Sequence, residues 1–273
     1  RDDNNIMTMI TSDIPVDQVR VVRLENDHLV VEVSPETGGR ITRLTHKGLG
    51  RDFLWRHSRL PLAHVEPGVA YDPNFTGGID DIIPGDSPEV IDGLASPDHG
   101  ELWSLALDSR VEGGALVLKG RLPVWGLDVR KRVTLRPDSP WVDLDYSFVN
   151  RSGARRVFLW KLHAAVAVAP GDAIVCPARI AAVADPAWSR WGAVKPFDWP
   201  NVAGGRADLV PPPDGTTDFL FLYGLRAGRV GLQGVSGQRA AGELRIDFDL
   251  SVFPYVCCFA SYGGFDGHYT VIL

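Results

Sequence analysis

Along much of the chain, apolar and polar residues alternate with a period of two. Leu127, Val129, Val133 and Leu135 take turns with Asp128, Arg130, Arg132 and Thr134. Val142, Leu144, Tyr146 and Phe148 do so with Asp143, Asp145 and Ser147, and Leu244, Ile246, Phe248 and Leu250 with Arg245, Asp247 and Asp249. Successive side chains of a strand project to opposite faces, so each run predicts a strand with one buried and one wet face, the pattern of antiparallel sheets. Further strands are predicted over 19–24, 28–33, 39–46, 102–111, 115–122, 155–168, 217–225, 228–235, 255–261 and 268–273. Turn-forming residues separate them: Pro35 to Gly39, Gly113-Gly114, Pro137 to Pro140 and Asn150 to Gly153. With 29 Gly and 20 Pro, helix interiors have little room, and no amphipathic helix stands out. Strands in this number and at this spacing predict an all-β fold, a large antiparallel two-sheet sandwich rather than a βαβ architecture.

Two stretches resist the strand pattern. Residues 58–98 and 184–215 are rich in Pro and Gly, and loops of such length in a compact domain usually either carry function or are disordered. Phe75 in the first, and Trp188, Trp191 and Trp199 in the second, call for burial. No internal repeat or linker divides the chain, so residues 13–273 are expected to form one sandwich domain. The stretch Met7-Thr8-Met9-Ile10-Thr11 resembles the start of the β-galactosidase α-fragment carried by cloning vectors. Residues 1–12 are therefore expected to be a vector-derived leader outside the fold.

Composition excludes more than it proposes. A hydrophobic content of 45% over 273 residues describes a chain that can bury a substantial core. Its formal charge of −6 argues against nucleic acid, whose phosphates need an electropositive surface. No apolar run reaches the ~18–20 residues that span a bilayer, and Met7–Ile10 is too short for the core of a signal peptide. No membrane partner is expected, and the cytoplasm is the expected location. Cys176, Cys257 and Cys258 form no CxxC pair and are odd in number, which predicts thiols rather than a zinc site or a disulfide framework.

Candidate chemistry gathers in three places. The first long loop ends in Asp98-His99-Gly100-Glu101-Leu102-Trp103, a polar and aromatic cluster whose composition suits a sugar pocket and equally a turn held by local hydrogen bonds. In Phe158-Leu159-Trp160-Lys161-Leu162-His163-Ala164-Ala165 an imidazole interrupts a largely apolar run; it reads either as a core histidine with a partner or as a proton-transfer group active near neutrality. Gly77-Gly78-Ile79-Asp80-Asp81 supplies adjacent carboxylates able to bind hydroxyls or tune a neighbour, or else a solvated turn. No companion ligands for a metal stand at a suitable spacing. His28, His46, His57, His64 and His268 occupy polar, turn-like contexts and receive no role.

In combination these segments resemble the aldose 1-epimerase (galactose mutarotase-like) family. Val31-Glu32-Val33-Ser34-Pro35-Glu36-Thr37-Gly38-Gly39-Arg40-Ile41-Thr42-Arg43-Leu44 resembles the family's N-terminal signature. There, a glycine-rich turn leads into an Arg-Ile pair whose Arg contacts the sugar. Gly77–Pro84 with Asp98–Trp103 is similar to the loop carrying the family's first active-site histidine, and Tyr146–Asn150 with Phe158–His163 to the strands delivering the second. The likeness is best over residues 19–170 and weaker beyond, where Tyr262-Gly263-Gly264 is similar to the closing strands.

The resemblance implies a galactose mutarotase-like β-supersandwich and interconversion of the α and β anomers of an aldose by general acid and base, without cofactor or metal. On this implication His163 is the acid at the ring oxygen and His99 assists it. Arg40 holds sugar hydroxyls, and Asp81, Glu101 and Trp103 are further substrate contacts. One departure matters. The family's base is a glutamate, usually followed by proline, just after the last core strand, whereas this sequence runs out at Leu273. Three expectations follow: a chain cut short, a substitute carboxylate such as Glu101, or a carbohydrate-binding protein on the same scaffold that does no catalysis.

Overall fold

A computed structural model describes residues 8–234 and 242–273. The chain divides into two compact units, Arg1–His163 and Ala164–Leu273. In the first unit, β1 (Met9–Val16), β2 (Val19–Glu25), β3 (Leu29–Ser34), β4 (Arg40–His46) and β6 (Ile79–Ile82) form an ordered antiparallel series, with the short β5 (Arg51–Asp52) on β4. A hairpin, β7 (Glu89–Ile91) with β8 (Leu94–Ser96), follows. A second sheet runs in the order β12-β11-β10-β9, built from β9 (Asp108–Glu112), β10 (Ala115–Arg121), β11 (Leu127–Leu135) and β12 (Val142–Asn150). Of the predicted leader, residues 1–7 lie outside the described residues, while Met9, Ile10 and Thr11 pair with Glu25, Leu24 and Arg23.

β11 shows why the period-two pattern was informative. Residues 127, 129, 131, 133 and 135 are buried and those between them are not. The buried set includes Lys131, a cation at a core position. Lys131 Nζ donates from this sheet to Gly39 O (2.9 Å) and to Asp81 Oδ2 on β6 (2.8 Å), so an ion pair links the unit's two sheets. Asn26 Nδ2 makes a second link, donating to Arg136 O and Ser139 O.

β13 (Lys161–Ala167) carries His163 at the end of the first unit, and its residues 165–167 pair in the second. There the order is β13-β23-β22-β19-β15-β16. These are β15 (Ile180–Val183), β16 (Phe197–Asp198), β19 (Thr216–Tyr223), β22 (Val256–Tyr262) and β23 (Tyr269–Ile272). A smaller sheet joins β14 (Ala173–Val175), β20 (Arg229–Gln233) and β21 (Glu243–Asp247), and β17 (Asn201–Val202) pairs with β18 (Gly205–Arg206). Cys176 and Cys258 are buried and Cys257 half-buried, all three as free thiols. Among the described residues no helix is long and apolar enough to cross a membrane.

The all-β, antiparallel character expected from the sequence is what the chain has; several strand limits differ. The predicted strand 102–111 begins only at Asp108, because Leu102, Trp103 and Ser104 are buried together in a 3₁₀ turn rather than alternating. The predicted 155–168 begins at Lys161; before it, Leu159 donates its N–H to Pro84 O (2.7 Å) outside any ladder. The run 244–250 stops pairing at Asp247, where Val252 and Phe253 turn back onto Asp249 O. Residue 235, the end of predicted strand 228–235, lies outside the described residues.

Candidate active site

The site assembles inside the first unit around Asp80. Adjacent residues on β6 face opposite ways, so Asp80 and Asp81 serve different partners. The strand reaches β4 closely because Gly78, at φ +82°, carries no Cβ; one placed there would lie 2.5 Å from Ile41 O. Asp80, 1% exposed, takes a hydrogen bond from Tyr71 Oη to Oδ2 (2.7 Å) and an ion pair from Arg40 Nη2 to the same oxygen (2.8 Å). His163 Nδ1 lies 2.9 Å from Oδ1. Arg40 spends its other terminal nitrogen on Gly77 O (2.7 Å). Burial works against the Asp80 charge, but Arg40 and His163, with hydrogen bonds from His163 and Tyr71, outweigh it and hold the carboxyl well below the usual range. Tyr71, wholly buried and beside that carboxylate, has its phenol pushed well above its ordinary value and stays a neutral donor.

A second carboxylate–imidazole pair stands beside the first. Asp98 Oδ1 is 2.8 Å from His99 Nδ1, and Oδ2 accepts the Tyr71 backbone N–H (2.8 Å). The His99 ring stacks on Tyr71 with centroids 3.8 Å apart and planes 6° from parallel. Trp103 closes the other edge, 5.0 Å from Tyr71 and perpendicular to it, with Nε1 donating to Asp98 O (3.1 Å). The two imidazoles are 5.9 Å apart at 80°. Their side chains keep 13% (His163) and 21% (His99) exposure, so both reach solvent; Asp80 and Tyr71 behind them are buried, whereas Asp98 is half-buried.

Because Nδ1 of each ring faces a carboxylate, it carries a proton there, and Nε2 is the nitrogen left to exchange protons with anything bound above. Such a pair can donate and accept protons at neighbouring atoms. Among the described residues no group of three or more His, Cys, Asp or Glu side chains converges as metal ligands. A cavity of about 450 Å³ touches the cluster only through Arg40; Thr42, Asp52, Arg56, His57 and Thr76 also line it, and neither imidazole does. The two imidazoles thus lie outside that cavity.

Of the residues expected from sequence, the structure brings His99, His163, Arg40 and Trp103 together. It does not bring Asp81 or Glu101 to them. Asp81 is fully buried and saturated by Lys131 Nζ (2.8 Å), Tyr146 Oη (3.1 Å) and Trp160 Nε1 (3.1 Å). Glu101, 6% exposed, accepts the backbone N–H groups of Val124 (2.7 Å) and Trp125 (3.1 Å), closing the β10–β11 connection. Burial pushes its carboxyl up, against those two hydrogen bonds. Sequence reasoning passed over Tyr71, which touches both pairs, and gave no separate role to Asp80 or Asp98.

No protein-family profile matches the chain. Solved structures do. The Slr1438 protein of Synechocystis aligns over 97% of this chain and 88% of its own, with a TM-score of 0.69 at 16% identity. A candidate aldose 1-epimerase from Escherichia coli aligns over 97% of this chain and 86% of its own, at 0.63 and 14%. A galactose mutarotase-like protein from Clostridium acetobutylicum covers 98% of both chains at 0.52 and 10%. At such identities the likeness is one of fold alone: the chain has the all-β fold of galactose mutarotase-like proteins.

Proposed function

We propose that this protein interconverts the α and β anomers of an aldose. The observation that carries the reading is the pair of half-exposed imidazoles, each held at Nδ1 by a carboxylate, on a scaffold shared with mutarotase-like proteins. Opening an aldose ring requires proton transfer at the anomeric hydroxyl and at the ring oxygen, by groups within hydrogen-bond reach of both. His163 supplies the ring-oxygen proton from Nε2. Asp80 fixes its ring and tautomer, and Arg40 and Tyr71 fix Asp80 in turn. Buried Phe75 stacks on Tyr71, and the half-exposed Trp55 stacks on Phe75 in turn and gives an apolar face on which a sugar ring packs.

Exchange NMR of equilibrated D-galactose and D-glucose tests the reading. The protein should accelerate α–β exchange, and His163→Asn should remove ~10²–10⁴-fold of that acceleration. Calorimetry on the same samples distinguishes the non-catalytic alternative: sugar binding without faster exchange would establish a carbohydrate-binding protein instead.

A further inference from the structure

Ring opening needs two proton transfers, and His163 serves one. Among the described residues the carboxylates near the cluster are engaged: Asp80 by three side chains, Asp81 by Lys131, Tyr146 and Trp160, and Glu101 by two backbone N–H groups. Asp98 is held by Tyr71 N–H and His99. What stays open is His99 Nε2, which has no hydrogen-bond partner among the described residues. Its backbone is also unusual. Of the described non-glycine residues with positive φ, the others are all aspartates; His99 alone is not, at φ +56°. That conformation is disfavoured for an L side chain and persists where surrounding bonds impose it, often at functional positions. Here His99 N–H donates to Asp86 O (2.9 Å), Gly100 N–H to Pro97 O (3.0 Å) and Glu101 N–H to Ile83 O (2.7 Å), tying the strained turn to the end of β6.

We propose that His99 is a catalytic base, taking the proton of the anomeric hydroxyl while His163 protonates the ring oxygen; the proposal rests on the mutarotase reading. Two rings 5.9 Å apart can each lie at ~2.6–3.2 Å from one of two oxygens borne by the same carbon. His99 Nε2 accepts the hydroxyl proton and becomes imidazolium. The released O–H pair forms the C1 carbonyl, the C1–ring oxygen bond breaks with its pair moving to oxygen, and that oxygen takes the Nε2 proton of the His163 imidazolium. After rotation about C1–C2 the transfers reverse, and both rings return to their starting states with nothing consumed.

The two rings have different charged neighbours. His99 faces Asp98, Tyr71 and His163, and among the described residues no Lys or Arg side chain pairs with Asp98. His163 faces Asp80, Tyr71, Phe75 and His99, and Asp80 is paired with Arg40 as well.

His99→Asn and His99→Gly test this, because both residues accept a left-handed backbone and so preserve the turn. With D-galactose as probe, His99→Asn should lose ~10²–10⁴-fold in exchange rate with its melting curve unchanged, and one limb of a bell-shaped kcat/KM profile should vanish. Added imidazole should restore exchange to His99→Gly beyond its effect on His163→Asn. Exchange by His99→Asn within about threefold of the unmodified chain, with His163→Asn inactive, would overturn the proposal and leave the mutarotase reading standing. No exchange by the unmodified chain would remove both. ¹⁵N spectra need no variant: galactose must shift His99 Nε2, and an unmoved signal also overturns the assignment.

Discussion

Replacing Lys131 by Met isolates the buried ion pair that joins the two sheets of the first unit. Met keeps most of the apolar stem, so the loss is confined to Nζ and its contacts with Asp81 (2.8 Å) and Gly39 O (2.9 Å). Side-chain exposures of 1% and 0% mean that water cannot replace the lost cation. Asp81 would keep only Tyr146 Oη and Trp160 Nε1 as donors. Removing one partner of a buried pair costs about 3–5 kcal/mol, because the remaining charge stays uncompensated. At about 2–4 °C per kcal/mol for a domain of this size, the melting temperature should fall by roughly 6–20 °C. Thermal unfolding followed by circular dichroism measures it. Lys131→Met combined with Asp81→Asn should cost less than the sum of the single changes, since the charges vanish together. A fall under about 2 °C for Lys131→Met would refute the burial described and return Asp81 to consideration as a substrate contact.

Three further outcomes follow from the same coordinates. Glu101→Ala leaves two backbone N–H groups without their acceptor, one of them on buried Trp125, and should cost about 1–3 kcal/mol in urea unfolding. Gly100→Ala would set a Cβ 2.1 Å from Ile83 O at φ +76°; a loss of at least about 1–3 kcal/mol is expected, and exchange should fall further than stability because His99 is displaced. In the second unit, burial raises Asp218 to about 7 against the attraction of Arg190 at 2.8 Å. The folded state thus holds that proton more tightly than the unfolded chain, so the contribution of Asp218 to stability is fully present below about pH 4 and is lost as pH rises through about 7. Melting scans of the unmodified chain and Asp218→Asn check this: the variant should show a flatter pH dependence, and identical curves would contradict it.

Strands were legible where alternation or flanking turn residues mark them. β10, β11, β12, β19 and β22 fall within two residues of their predicted limits. β6 was not legible: all four residues of Ile79-Asp80-Asp81-Ile82 are buried, so no alternation marks it, and its aspartates looked like a turn. The site was half legible for a related reason. His99, His163 and Arg40 stand out from their neighbours, and Asp98 adjoins the histidine it holds, whereas the other supports come from afar: His163 meets Asp80 across 83 residues, and Tyr71 meets Asp98 across 27. One signal was available and went unused. Lys131 is in phase with Leu127, Val129, Val133 and Leu135, and a cation on an apolar face requires a buried anion. The neighbouring aspartates were candidates, and period two allows only one of them to face it.

Polarimetry of freshly dissolved α-D-galactose and α-D-glucose with the unmodified chain tests the central claim most directly. The account predicts that optical rotation relaxes to its equilibrium value faster in proportion to protein concentration, and that His163→Asn removes the effect. Relaxation at the buffer rate for both sugars, with the protein folded, would contradict it.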